Sequence, residues 1–226
     1  MTAVKICGIT NADDAVCACE HGADMIGFVF AESRRRTDIP QVRSILETLD
    51  GRGLLSSIKT AAVFVNESPE KMESVLKETG IDYAQIHGDE NAGFCNGLPF
   101  PWYRALRIND MTTAETAAEE VPSYGCGIIL ADALSSAGYG GTGERVSADA
   151  AVLLRDAVRK SGKRFFLAGG ITDENAARII ETIQPDGIDI SSGLEDSPGR
   201  KSYRKISNLF INIQRMYHRN SGEYYV

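Results

Sequence analysis

The sequence predicts a single α/β domain, a closed (β/α)8 TIM barrel. Three observations lead there. Short apolar runs alternate with longer amphipathic ones about eight times along the chain. Those short runs are almost continuously apolar, as in parallel strands covered by helices. No linker or change in composition divides the 226 residues, a length that suits one barrel. Eight such units favour closure over an open sheet.

The first unit is a strand beginning at Val4 and stopping on Cys7 and Gly8. A helix over residues 11–21 follows, capped by Thr10 or Asn11, with Asp13 and Asp14 in its first turn. Residues 25–30 read as the second strand, 33–36 as an arginine-rich loop and 40–49 as a helix. Residues 60–65 form the third strand. Ser68 then caps a helix with Pro69 at its first position, and Gly80 ends it. The fourth strand is 83–86, and a short helix is expected around 90–96. Residues 102–108 form the fifth strand and 113–120 a helix. Residues 127–131 form the sixth strand, ending on Asp132, and a glycine-rich loop over 135–143 leads to a helix over 148–161. Residues 165–168 form the seventh strand, and Asp173 is expected to cap the helix ending at Ile183. Residues 187–190 form the eighth strand, and a last helix covers 203–217. The barrel is assigned to residues 1–216. The polar, tyrosine-rich segment 217–226 is expected to lie outside the core.

Composition narrows the function. Lys plus Arg is 24 against 31 for Asp plus Glu, a net charge of −7. Such a balance argues against nucleic acid as a partner but permits local anion binding. No apolar run reaches the roughly 20 residues that span a bilayer, so no membrane association is expected. No basic segment followed by a long apolar core marks a signal peptide. The five cysteines are irregularly spaced and make no zinc set with histidines. They fit reduced thiols of a cytoplasmic enzyme better than a disulfide frame.

In a barrel of this kind, the loops after the strands share one mouth. The candidate groups are therefore Cys7, the Arg34–Arg36 run, Asn66, His87, Arg107, Asp132, Gly169-Gly170 and Ser191-Ser192-Gly193. The last two stretches supply small residues and free backbone N–H groups on adjacent loops. A phosphate site is frequently built there, with a short extra helix behind it. Residues 194–197 are expected to form that helix. The segment Gly138–Gly143 lacks the Lys-Ser/Thr ending of a nucleotide loop and reads as a flap or a plain connection.

Asp132 follows an apolar run, where desolvation favours the neutral, proton-donating carboxyl. A loop or capping role is the simpler account. A free thiol ionises near pH ~8.5, and the helix start after Cys7 is expected to raise its thiolate fraction. Alone, Cys7 reads as a packing residue. Three consecutive arginines usually mark a solvated face, but at the mouth of an acidic protein they suit a carboxylate. His87 has no metal partners, and a lone histidine is more often neither ligand nor acid/base.

Together these stretches resemble the phosphoribosylanthranilate isomerase family. The match runs over Lys5-Ile6-Cys7-Gly8-Ile9-Thr10, Gly27-Phe28-Val29-Phe30, Val63-Phe64-Val65-Asn66, Gln85-Ile86-His87-Gly88, Asp132 before Gly140-Gly141-Thr142-Gly143, Leu167-Ala168-Gly169-Gly170-Ile171, and Asp189-Ile190-Ser191-Ser192-Gly193-Leu194-Glu195 with Pro198-Gly199 and Lys201. The resemblance implies an Amadori rearrangement of a small-molecule phosphosugar, N-(5'-phosphoribosyl)anthranilate, in tryptophan biosynthesis. It implies Cys7 as general base and Asp132 as general acid, with no metal and no cofactor. The substrate phosphate falls on Gly169, Gly170, Ser191, Ser192 and Gly193. The anthranilate carboxylate falls on an arginine after the second strand. Spacing from Ser33 selects Arg35, and spacing from Phe30 selects Arg36. Members of the family occur as monomers and homodimers. Two related phosphosugar barrels fit less well. The histidine-pathway isomerase uses an aspartate where this chain has Cys7, and indole-glycerol-phosphate synthase needs a lysine where it has Phe30-Ala31.

Overall fold

The computed structural model describes residues 1–108, 110–133 and 146–221. Eight strands, β1 (Ala3–Cys7), β2 (Met25–Val29), β3 (Lys59–Phe64), β4 (Tyr83–Ile86), β5 (Trp102–Ile108), β6 (Ile128–Ala133), β7 (Arg164–Leu167) and β8 (Gly187–Ile190), pair in sequence order, and β8 returns to β1. Every pairing is parallel, with Cys7 opposite Gly27 and Lys5 opposite Asp189. The (β/α)8 barrel expected from the alternation is the observed fold.

The helices on the outside are α1 (Ala12–Glu20), α2 (Ile39–Gly51), α3 (Pro69–Thr79), α4 (Ala92–Asn96), α5 (Met111–Glu120), α6 (Ala148–Lys160), α7 (Ala176–Ile183) and α8 (Tyr203–Ser221). Their starts follow cap chemistry. Asn11, Asp38, Ser68 and Ser147 each accept from a backbone N–H in the first turn. Asp110 and Thr113 form a reciprocal capping box, so α5 begins two residues before the expected Thr113.

Alternate strand residues divide the core in two. Val4, Ile6, Phe28, Phe64 and Ile188 face the helices in one large cluster. Met25, Ala61, Tyr103, Leu130 and Phe166 fill the barrel interior. Ile6 and Phe28 are fully buried, each contributing about 1.5–3 kcal/mol.

Four expectations need correction. Asp173 does not cap α7. The capping position is Asn175, which exchanges bonds with Thr172, while Asp173 accepts from Asn208 and ties α8 to this loop. Glu90 stays outside α4 because its carboxylate is used elsewhere: Oε1 accepts from the Asn66 N–H at 2.7 Å and Oε2 pairs with Arg104 at 3.2 Å. Residues 194–197 are not a helix. A single 3-10 turn spans Ser192–Leu194, and Glu195–Ser197 (β9) then forms a hairpin with Arg200–Lys201 (β10). Extended backbone at Glu195 lets its carboxylate reach two cations at the barrel mouth. Finally, α8 continues past Tyr217. The Tyr217 hydroxyl accepts from the Thr2 N–H at 2.7 Å and donates to Thr2 Oγ1 at 3.1 Å, so this residue is tied to the start of β1. Residues 222–226 and the glycine-rich loop Gly138–Gly143 lie outside the described residues.

Candidate active site

A cavity of ≈ 330 Å³ opens at the C-terminal ends of the strands, where the loops after them meet. Cys7, Arg35, His87, Asp132, Gly169, Gly170, Ser191 and Ser192 all line it. These eight expected residues, distant in sequence, are brought together by barrel closure.

Cys7 ends β1 and is buried. Burial pushes its thiol above the ordinary value, against the opposing charges of Lys5 and Lys201, while Asp189 adds to the rise. The cations that hold the thiol down against burial are Lys5 and Lys201. The start of α1 is five residues on, with Asp13 and Asp14 in its first turn, so the expected help from that helix is replaced by side-chain charge. Gly8 follows with φ 73, a left-handed conformation that favours glycine. A methyl group there would also lie 2.6 Å from Arg35 Cδ and 2.9 Å from Ser191 Oγ. Glycine thus allows the arginine stem to cross the end of β1.

Arg35 uses that passage to reach Glu195. Its Nε donates to Oε1 at 2.7 Å and its Nη2 to Oε2 at 2.8 Å. Lys201 donates to the same carboxylate at 3.0 Å and to the Ser191 carbonyl at 3.1 Å. Burial alone would raise the Glu195 carboxyl, but Arg35 and Lys201 outweigh it and hold the group below the usual range. Arg36, the alternative expected from spacing, is exposed and outside the cavity lining. Its N–H donates to the Ser33 carbonyl, and this turn directs Arg35 inward and Arg36 outward.

Asp132 lies within β6, not after it, and is buried. The strand continues to Ala133, whose N–H donates to Asp132 Oδ1 at 2.9 Å. A turn or capping role is thereby removed. Asp132 Oδ2 lies 3.2 Å from His87 Nε2. The two atoms are close enough for an ion pair but are not aligned as a hydrogen bond, since Nε2 has no such partner among the described residues.

His87 is set by the residue two before it. Gln85 Oε1 accepts from Lys5 Nζ at 2.8 Å and from the Tyr103 hydroxyl at 2.7 Å. With its oxygen so used, Gln85 presents its amide nitrogen to His87 Nδ1 at 3.2 Å. Nδ1 is then the acceptor, and in the neutral ring the proton sits on Nε2, facing Asp132.

The loops after β7 and β8 are in close contact. A methyl group on Gly193 would fall 1.9 Å from the Ile171 carbonyl oxygen. Gly193 therefore backs the wall formed by Gly169, Gly170, Ser191 and Ser192. Arg34, Asn66 and Arg107, expected at the mouth, also stay out of the lining. Asn66, at φ 52, joins the loops after β3 and β4 through Glu90 and Asp89, and Arg107 pairs with Asp89.

Sequence reasoning assigned no role to Lys5, Gln85, Asp189 and Glu195, all of which are buried. A signal was present for two of them. Lys5-x-Cys7 and Gln85-x-His87 place polar residues at period two in otherwise apolar strands, which aims both members of each pair into the barrel.

Comparison with known proteins identifies the family. Residues 4–212 match the family described as N-(5'phosphoribosyl)anthranilate (PRA) isomerase. The chain is 39% identical over 216 residues to the N-(5'-phosphoribosyl)anthranilate isomerase of Pelobacter propionicus, covering 95% of this chain and 96% of that one. It resembles the crystal structure of phosphoribosyl anthranilate isomerase from Thermotoga maritima with a TM-score of 0.83 and 31% identity, over 95% of this chain and 100% of that one. A further structure of this enzyme, in complex with reduced 1-(o-carboxyphenylamino)-1-deoxyribulose 5-phosphate, matches with a TM-score of 0.77 and 29% identity, over 95% of this chain and 100% of that one. A barrel whose mouth combines a thiol, a carboxyl, an arginine and two small-residue loops, matched over nearly its full length, places the chain in the N-(5'-phosphoribosyl)anthranilate isomerase family, intramolecular oxidoreductases that convert N-(5'-phosphoribosyl)anthranilate to 1-(2-carboxyphenylamino)-1-deoxy-D-ribulose 5-phosphate in tryptophan biosynthesis.

Proposed function

We propose that Cys7 is the general base and Asp132 the general acid of this Amadori rearrangement. The reaction needs two proton movements. An acid protonates the furanose ring oxygen and opens the ring to an imine. A base removes the proton from the adjacent sugar carbon, giving an enolamine that tautomerises to the ketone. The observation that carries the assignment is that one cavity holds a buried thiol and a buried carboxyl on non-adjacent strands, β1 and β6. Oδ1 of Asp132 already accepts from Ala133, which leaves Oδ2 to carry the proton. Proton transfer by positioned groups of this kind contributes about 10²–10⁴-fold.

The remaining lining suits the two anionic ends of the substrate. Gly169, Gly170, Ser191, Ser192 and Gly193 would hold the phosphate through backbone N–H groups and hydroxyls. Arg35 would hold the anthranilate carboxylate. Glu195 occupies its Nε–Nη2 edge, so Nη1 is left for the substrate. The chemistry calls for no metal or cofactor. Five free thiols fit a reducing compartment and support a cytoplasmic location.

The test is turnover of freshly prepared phosphoribosylanthranilate, followed by decay of anthranilate fluorescence, for the wild-type protein and for Cys7→Ser and Asp132→Asn. Near wild-type kcat in either variant removes that residue from the mechanism.

A further inference from the structure

Lys5 is fully buried in the middle of β1. Burial opposes an ammonium there, yet Asp189, Cys7 and Tyr103 together raise its pKa well above the ordinary value, so it stays charged. Its Nζ donates to Asp189 Oδ2 at 2.6 Å and to Gln85 Oε1 at 2.8 Å. The rest of the barrel interior is largely apolar. A buried ion pair is a poor source of stability compared with apolar packing of the same volume, so packing alone gives no reason for a cation here.

Its neighbour gives one. Lys5 and Cys7 are two residues apart on one strand and share its inner face. Across the ladder, Cys7 is in register with Gly27 of β2. A methyl group on Gly27 would lie 2.8 Å from Cys7 Sγ and 3.1 Å from Lys5 Nζ. The backbone of Gly27 is not left-handed, so conformation does not demand glycine. Space does, because the thiol and the ammonium converge over this residue.

The surrounding charges point the same way. Among the described residues, the titratable groups acting on Sγ are Lys5 on its own strand, Asp189 on β8, Lys201 on β10, Arg35 after β2 and Tyr103 on β5. Asp189 is shared with Lys5, and Glu195 is shared by Arg35 and Lys201. Among the described residues, three cations thus face two carboxylates, an excess of one positive charge that a thiolate would cancel.

We propose that Lys5 is the counter-ion of the Cys7 thiolate, a positioning residue held by Asp189 and Gln85 so that a positive charge stands beside Sγ when the thiol gives its proton to solvent. This rests on Cys7 being the base. Of the influences that lower the thiol pKa against burial, Lys5 ranks ahead of Lys201.

The test reads the thiol directly. Alkylation by iodoacetamide is measured against pH and mapped by mass spectrometry to the peptide carrying Cys7, for wild type, Lys5→Met and Gly27→Ala, each checked for folding by circular dichroism. In Lys5→Met the midpoint should rise by about one pH unit or more, a tenfold loss of thiolate at fixed pH, and the acidic limb of kcat/KM should move with it. Gly27→Ala keeps every charge but drives a methyl group between the two, and should shift the midpoint in the same direction. Unchanged midpoints in folded variants would overturn the proposal. Should Lys5→Met not fold, the wild-type protein labelled with 15N-lysine supplies the answer. The Lys5 Nζ resonance should titrate at the Cys7 midpoint, and that movement should vanish in Cys7→Ala. A resonance that ignores Cys7 would equally overturn it. Neither the alkylation midpoint nor the lysine resonance uses turnover, so the coupling stands or falls separately from the role of Cys7 as base.

Discussion

Arg35 and Glu195, 160 residues apart in sequence, form a two-point ion pair at the barrel mouth, Nε to Oε1 at 2.7 Å and Nη2 to Oε2 at 2.8 Å. The pair fixes the plane of the guanidinium and selects which edge meets the substrate. Arg35→Ala should raise KM by about 10- to 100-fold, the loss expected for a charge-assisted hydrogen bond. Arg36→Ala should leave KM within about twofold, because that side chain is solvent-exposed. Steady-state kinetics on both variants decides it, and the reverse pattern would move the carboxylate site to Arg36.

Glu195 also carries a stability prediction. Its folded pKa lies below the unfolded one, held there by Arg35 and Lys201. Its stabilising contribution is therefore complete above about pH 4.3, the ordinary glutamate value, and is lost as pH falls through the depressed folded value. Glu195→Gln, which leaves Lys201 buried without its partner, should cost about 3–5 kcal/mol near neutrality. Urea unfolding at several pH values should show this gap closing in acid. A gap that stays constant down to pH 3 would mean that the pairing is not ionic.

For the reaction itself, Cys7→Ser and Asp132→Asn should each lower kcat by about 10² or more. Because the two groups act on different protons of one substrate, KM should change little in either. Single-turnover fluorescence separates binding from chemistry, and a variant that loses only affinity would reassign its residue to binding.

The pH profile follows from the buried thiol. A base must be deprotonated, and burial sets the Cys7 thiol above its ordinary value. In the free enzyme kcat/KM should therefore climb with pH through neutrality and beyond the ordinary thiol value of about 8.5. A plateau already reached at pH 6 would show that bound positive charge overcomes burial, or that another group is the base.

The fold was legible because strand–helix alternation is a local pattern. Ser68-Pro69 and Gly80 mark both ends of α3, and the limits of β4 and β5 agree with expectation to the residue. Where expectation failed, a distant partner had claimed a side chain. Asp173 has the right chemistry for a cap but bonds to Asn208 on α8. Glu195 stood in an expected helix but is drawn into extended backbone by Arg35 and Lys201. No local rule contains either partner.

The sequence by itself determined the barrel, the ring of loop residues at its mouth and the presence of a thiol and a carboxyl among them. These follow from periodicity, caps and strand ends, which are properties of neighbouring residues. Tertiary structure decided three further things. It turned Arg35 inward and Arg36 outward, set the His87 ring through Gln85, and placed Lys5 beside Cys7 over Gly27. Each is completed by a partner distant in the chain, Glu195 for Arg35, Lys5 and Tyr103 for Gln85, and Asp189 for Lys5, and barrel closure brings these together where low dielectric and close packing let a distant side chain govern charge and orientation.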